Sequence, residues 1–153
     1  MKKNSKNQNI LIKSTSFLMN ATEPWKSLKN FNVKFSNYGN LFEASKNNDS
    51  NFEIIIIFIE DLIASYLNQK KYFNSEKKKL NSILDIIKKK ITISQNTNHI
   101  VFFSSYSYLN IINSLKSKES NTKLYDHFDE CLYKLSKSYP NLFVVNLDNI
   151  FAK

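Results

Sequence analysis

Residues 52–60 read FEIIIIFIE. An Ile run with no polar alternation requires cover on both faces of the strand. That is the pattern of a strand inside a parallel sheet with helices on either side. The acidic pair Glu60 and Asp61 ends the run, and DLIASYL begins a helix there.

Four further strands are expected. NILIKS (9–14) and HIVFFSS (99–105) are apolar and buried in character, NVKFS (32–36) alternates, and NLFVVNLD (141–148) closes the chain. Between them, Leu80, Ile83, Leu84, Ile87 and Ile91 recur at helical spacing from Ser75 to about Ile93, with lysines opposite. Leu124, Phe128, Cys131, Leu132 and Leu135 make a second stripe over 121–138, which SYP stops. A short helix is expected over ATEPWKSLKNF (21–31), with Thr22 as cap, Pro24 in the first turn, and Trp25 and Leu28 on one face. A weaker helical stretch spans Tyr108 to Leu115. This alternation implies a three-layer α/β fold: a parallel sheet of about five strands with helices on both faces. Residues 1–8 are polar and basic and read as disordered, and 9–153 as one domain.

Composition narrows the function classes. A chain of 153 residues with 42% apolar side chains has enough material for one core and too little for two. It contains no apolar stretch of about 18 residues, the length a membrane span needs. The basic start MKKNSKNQN precedes only a short apolar run, which carries Lys13 and lacks a small-residue cleavage site. The single cysteine, Cys131, excludes an internal disulfide, fits a cytoplasmic location, and reads as a buried structural thiol in its helical stripe. The net charge of +9 suggests an anionic partner, but the basic residues are all Lys. Without Arg the chain lacks the bidentate fork that reads phosphate and guanine, which argues against a nucleic-acid binder. The clusters EKKKL and IIKKKI alternate with apolar residues and read as the solvated face of a helix.

In parallel sheets, ligands bind beyond the carboxyl ends of the strands. Those ends carry Ser14, Thr15 and Ser16; Asn37, Tyr38, Gly39 and Asn40; Glu60 and Asp61; Ser105; and Asp148. Each has a plainer reading beside the functional one. The three hydroxyl residues also suit a turn and a helix cap. Gly39 also suits a turn with positive φ, and Glu60 and Asp61 also suit the first turn of the next helix. No metal or cofactor is expected, because Asp61 with Asp148 makes only two ligands.

The segments ILIKSTSFLMNATEPW, FSNYGNLFEA, FEIIIIFIEDL and SYPNLFVVNLDNIFA, taken in order and spacing, resemble the amino-terminal domain of FkbH-like proteins. In that family the domain is similar to SGNH hydrolases and precedes a haloacid-dehalogenase-like (HAD-like) domain acting on a carrier-bound three-carbon unit. The chain reaches Lys153 just after its last strand, so the resemblance implies the amino-terminal domain alone, isolated or truncated. A separately encoded HAD-like domain or an acyl carrier protein would then be its partner.

The SGNH pattern carries over residue by residue only in part. Ser14 stands at the nucleophile position, preceded by Lys13 rather than Gly-Asp, and Gly39 at the second-block glycine. The third block should offer Gly-x-Asn-Asp but has Glu60 and Asp61. The fourth should read Asp-x-x-His, but Asp148 is followed three residues later by Phe151. The two histidines, His99 at the amino-terminal edge of the sheet and His127 mid-helix, are not expected to reach Ser14. A serine hydroxyl needs such a base to act as a nucleophile. The expectation is a degenerate binding or docking module in the synthesis of carrier-bound glyceryl units or surface polysaccharide precursors. The alternatives are an SGNH-type acyl hydrolase or transferase using Ser14, and an electrostatic binder of nucleic acid or membrane surface.

Overall fold

The computed structural model describes residues 8–15, 24–25, 27–36, 50–61, 76–105 and 122–151. Strands β1 (Gln8–Ser14), β2 (Phe31–Phe35), β3 (Phe52–Phe58), β4 (Asn98–Ser104) and β5 (Leu142–Asn146) form one sheet. Every pairing is parallel, and the order is β2-β1-β3-β4-β5. Helices α1 (Glu76–Ile93), α2 (Thr122–Ser138) and the short α3 (Asp148–Phe151) complete the described elements. The fold is three-layer α/β, with the strand order of doubly wound flavodoxin-like sheets.

The order follows from the direction of travel. From β1 the chain steps outward to β2, and later moves the other way from β3 to β4 to β5. Right-handed crossovers place connections that run in opposite directions on opposite faces. Trp25, between β1 and β2, accordingly packs against the Ile10, Ile12 and Ile54 face, and α1 and α2 cover the Ile55, Ile57 and Val101 face.

The two faces explain why β3 has no polar alternation. Ile55 and Ile57 are fully buried beneath Leu80, Ile83, Ile87 and Ile91 of α1. Phe128 and Leu132 of α2 complete that layer, with the Phe128 ring edge-on to Phe103 at 6.0 Å. Burial of each such side chain contributes about 1.5–3 kcal/mol. Ile54 serves the other face together with Ile10 and Ile12.

The structure revises several expected boundaries. The helix expected over 21–31 is helical only at Pro24 and Trp25 among its described residues, and Phe31 already belongs to β2. Three-residue turn bonds from Leu28 N–H to Trp25 O and from Phe31 N–H to Leu28 O replace a helical ladder. Leu28 is consequently exposed and shares no buried face with Trp25. Strand β3 stops at Phe58, and residues 59–61 are already helical. The last strand stops at Asn146, because Asp148 opens α3. Cys131 is a free thiol, half-buried at the margin of the core rather than inside it. The expected stretch 108–115 lies outside the described residues. Among the described residues, no helix is long and apolar enough to cross a membrane.

Candidate functional site

The strand order reverses between β1 and β3, and their carboxyl ends are the place where doubly wound sheets bind ligands. Ser14 ends β1 there, paired with Ile56, half-buried, and on the sheet face of Ile10 and Ile12. Thr15 points to the opposite face and stitches the two strands together. Its N–H donates to Ile56 O at 3.0 Å, and its Oγ1 accepts from Phe58 N–H at 2.8 Å. That hydroxyl prolongs the pairing of β1 with β3. Glu60 and Asp61 lie just beyond, half-buried in the helical turn that follows β3. Ser16, Asn37, Tyr38, Gly39 and Asn40 lie outside the described residues.

On the β4–β5 side of the same rim, Ser105 and Asp148 come together. Asp148 Oδ1 accepts from Ser104 Oγ at 2.6 Å, and its Oδ2 accepts from the Ser105 N–H at 2.9 Å and Oγ at 2.6 Å. Asp148 N–H donates to Asn146 Oδ1 at 2.9 Å, and Asn146 Nδ2 donates to Asp129 Oδ2 on α2 at 3.2 Å. The chain of contacts ties the end of β4, the start of α3, β5 and α2 into one clasp. Burial raises the Asp129 carboxyl above its ordinary value; the Asn146 donor opposes this, and the charges of Asp126, Asp148 and Glu130 reinforce it. Among the described residues, no three His, Cys, Asp or Glu side chains gather as metal ligands would.

His99 lies level with Glu53 and Leu11, and Ser14 lies level with Ile56 and Phe102. Three residues of strand rise and two strand spacings put roughly 10 Å along and roughly 10 Å across between their backbones. The ring also points to the face opposite Ser14, since side chains alternate along a strand. His127, on α2, contacts Cys131 Sγ at 3.8 Å.

One group of polar residues escaped the sequence reading. Glu53 is buried in β3, and its Oε1 meets Lys13 Nζ of β1 at 3.1 Å and also Lys90 Nζ of α1. Its Oε2 lies 3.2 Å from His99 Nδ1 of β4. His99 Nε2 faces Ser94 O at 3.4 Å, past the end of α1. Glu53 is 3% exposed, Lys13 3% and His99 0%, so water takes almost no part. Burial alone would raise the Glu53 carboxyl; His99, Lys90 and Lys13 together outweigh it and hold the carboxyl at about 2. Lys90 is lowered to about 8, first by burial and then by the neighbouring Lys13 ammonium, against the pull of Glu53. The expected solvated lysine face of α1 thus holds for Lys88 and Lys89, which are exposed, and fails for Lys90. The signal was present: Lys13 and Glu53 are charges set inside otherwise apolar strands.

No protein-family model, curated protein or solved structure matches this chain.

Proposed function

We propose that the chain is a binding or docking module rather than an enzyme on its own. It would be a degenerate SGNH-like α/β domain, similar to the amino-terminal domain of FkbH-like proteins. Its role would lie in the assembly of carrier-bound glyceryl units or surface polysaccharide precursors. Its partner would be a separately encoded HAD-like domain or an acyl carrier protein. The observation that carries this reading is the state of Asp148. In an SGNH hydrolase this carboxylate orients the catalytic histidine; here three donors from Ser104 and Ser105 occupy it. The net charge of +9 favours an anionic partner and speeds encounter with it.

The second reading, an acyl hydrolase or transferase, rests on Ser14 at the end of β1 beside the strand reversal. Short-chain ester turnover by the wild type and by Ser14→Ala separates the two. The docking reading expects equal, background rates from both proteins. It is abandoned if the wild type turns over ester and Ser14→Ala does not. Calorimetric titration with an acyl carrier protein in its apo and holo forms then tests the partner directly.

A further inference from the structure

The sheet has two edges, and the sequence treats them differently. Strand β2 carries an exposed lysine, Lys34, and a charged side chain on an edge strand discourages pairing with another chain. Strand β5 is the other outermost strand among the described residues, and it has no such guard. From Ser138 to Leu147 no residue is charged, in a chain with 22 lysines. In the ladder between β4 and β5, His99 N–H donates to Asn141 O at 2.8 Å and Leu147 N–H donates to Phe103 O at 2.8 Å. Alternation along the strand then turns the N–H and C=O of Val144 outward, away from β4. Apolar surface adjoins this edge. Phe143 stands beside Ile100 and Val145 beside Phe102, on the sheet face opposite α1 and α2. Phe143 is 51% exposed.

We propose that β5 is a self-association edge, along which two copies of this chain pair antiparallel over Leu142–Asn146 about a two-fold axis at Val144. The two Val144 residues exchange their outward N–H and C=O groups, and the two sheets become one. Phe143 then faces Val145 of the second copy, and an aromatic side chain opposite a β-branched one is a favourable cross-strand pair. The flank of α2 points to a second copy as the occupant. Asn146 bonds Asp129 of α2, and Tyr133 follows one turn later along the helix. That turn and the two strand residues from Asn146 back to Val144 each span about 6 Å, so Tyr133 comes level with the axis. Lys137 lies one turn beyond Tyr133, and Asp126 one turn before Asp129; both are exposed. The two-fold runs α2 antiparallel to its copy and sets Asp126 and Asp129 against Lys137 of the second copy. Helix α2 lies over the groove between β4 and β5, bound to Phe103 through Phe128 and to Asn146 through Asp129. With strands about 5 Å apart, the two helices lie roughly 10 Å apart, a normal packing distance. This flank is thus complementary to itself, whereas the net charge of +9 opposes association through the lysine-rich surfaces.

Sedimentation velocity on the intact chain, over a range of micromolar concentrations, tests the pairing. A dimer that grows with concentration is expected, with no larger species, because an isologous contact closes. A chain that stays monomeric, or one that forms larger assemblies, overturns the proposal. Phe143→Lys should keep the circular dichroism of the wild type and raise the dimer dissociation constant at least about tenfold, as loss of a central aromatic contact does. An unchanged constant overturns the β5 edge as the contact. Lys137→Glu should weaken the dimer about fivefold, for two partly exposed ion pairs lost per dimer. Lys137→Glu combined with Asp126→Lys should restore it. A single change without effect, or a double change that fails to restore, overturns the antiparallel arrangement and the proposal with it. Should Phe143→Lys not fold, the two helix-surface variants decide the question.

Discussion

Two carboxylates organise this domain, and they are held in opposite ways. Glu53 is buried and surrounded by ionisable side chains from three elements. Asp148, at the rim and half-buried, is surrounded by hydroxyl and amide donors. The first arrangement depends on the opposite charges of Glu53 and the two lysines, so losing the carboxylate takes away their shared counter-charge in a medium of low dielectric. The second depends on hydrogen-bond geometry, and its failure leaves neutral donors that water can partly serve. Equal chemistry at the two positions thus carries unequal energy.

The largest effect should come from Glu53→Gln, which removes the counter-charge and is expected to destabilise the fold by about 3–5 kcal/mol in chemical denaturation. A loss under 1 kcal/mol would mean that the cluster is already solvated or paired elsewhere. The pH profile comes next. The Glu53 carboxyl lies at about 2 in the fold against an ordinary 4.5. The unfolded chain therefore binds more protons between those values, and stability rises with pH across that window. The gain is fully present above pH 4.5, amounts to roughly 3 kcal/mol, and is lost as pH falls towards 2. Lys90 works in the same direction at the alkaline end. Its folded value of about 8 lies below the ordinary 10.5, so its share of stability rises again between those values. A flat acid limb in thermal melts collected from pH 5 to pH 2 would contradict the charge-based account of Glu53.

Asp148→Ala should cost less, about 1–3 kcal/mol, by leaving the Ser104 and Ser105 donors without their acceptor. The smallest change is expected for Ser14→Ala, within about 1 kcal/mol in denaturant and without effect on ester turnover. A fall in turnover there would move Asp148 and its neighbours from a structural clasp to part of an active centre.

How far these regions could be read from sequence differs in the same way. The five strands and both long helices were visible because each carries its own period: unbroken apolar runs for β3 and β4, and a stripe at helical spacing for α1 and α2. Such signals are local. The rim residues Ser105 and Asp148 were legible as a neighbourhood, since strand ends in a parallel sheet share one edge. Their mutual bonding was not legible, because the partners lie about 43 residues apart. The pairing of Lys90 with Glu53 spans 37 residues. In IIKKKI, Lys90 is chemically identical to Lys88 and Lys89, and only its angular position on the helix turns it towards the sheet. The early end of β3 was hidden for a similar reason: Phe58 gives its N–H to Thr15, just past the end of β1.

The Glu53 cluster also bears on how this sequence can change over time. Four codons, for positions 13, 53, 90 and 99, are bound together by one carboxylate. Replacing Glu53 alone removes the counter-charge that Lys13 and Lys90 share, and replacing either lysine weakens the balance around the carboxylate, so single steps away from the set pass through a less stable protein. Apolar cores drift one methyl group at a time. This corner of the core should instead be inherited as a block, kept whole or exchanged together for a hydrophobic set of similar volume.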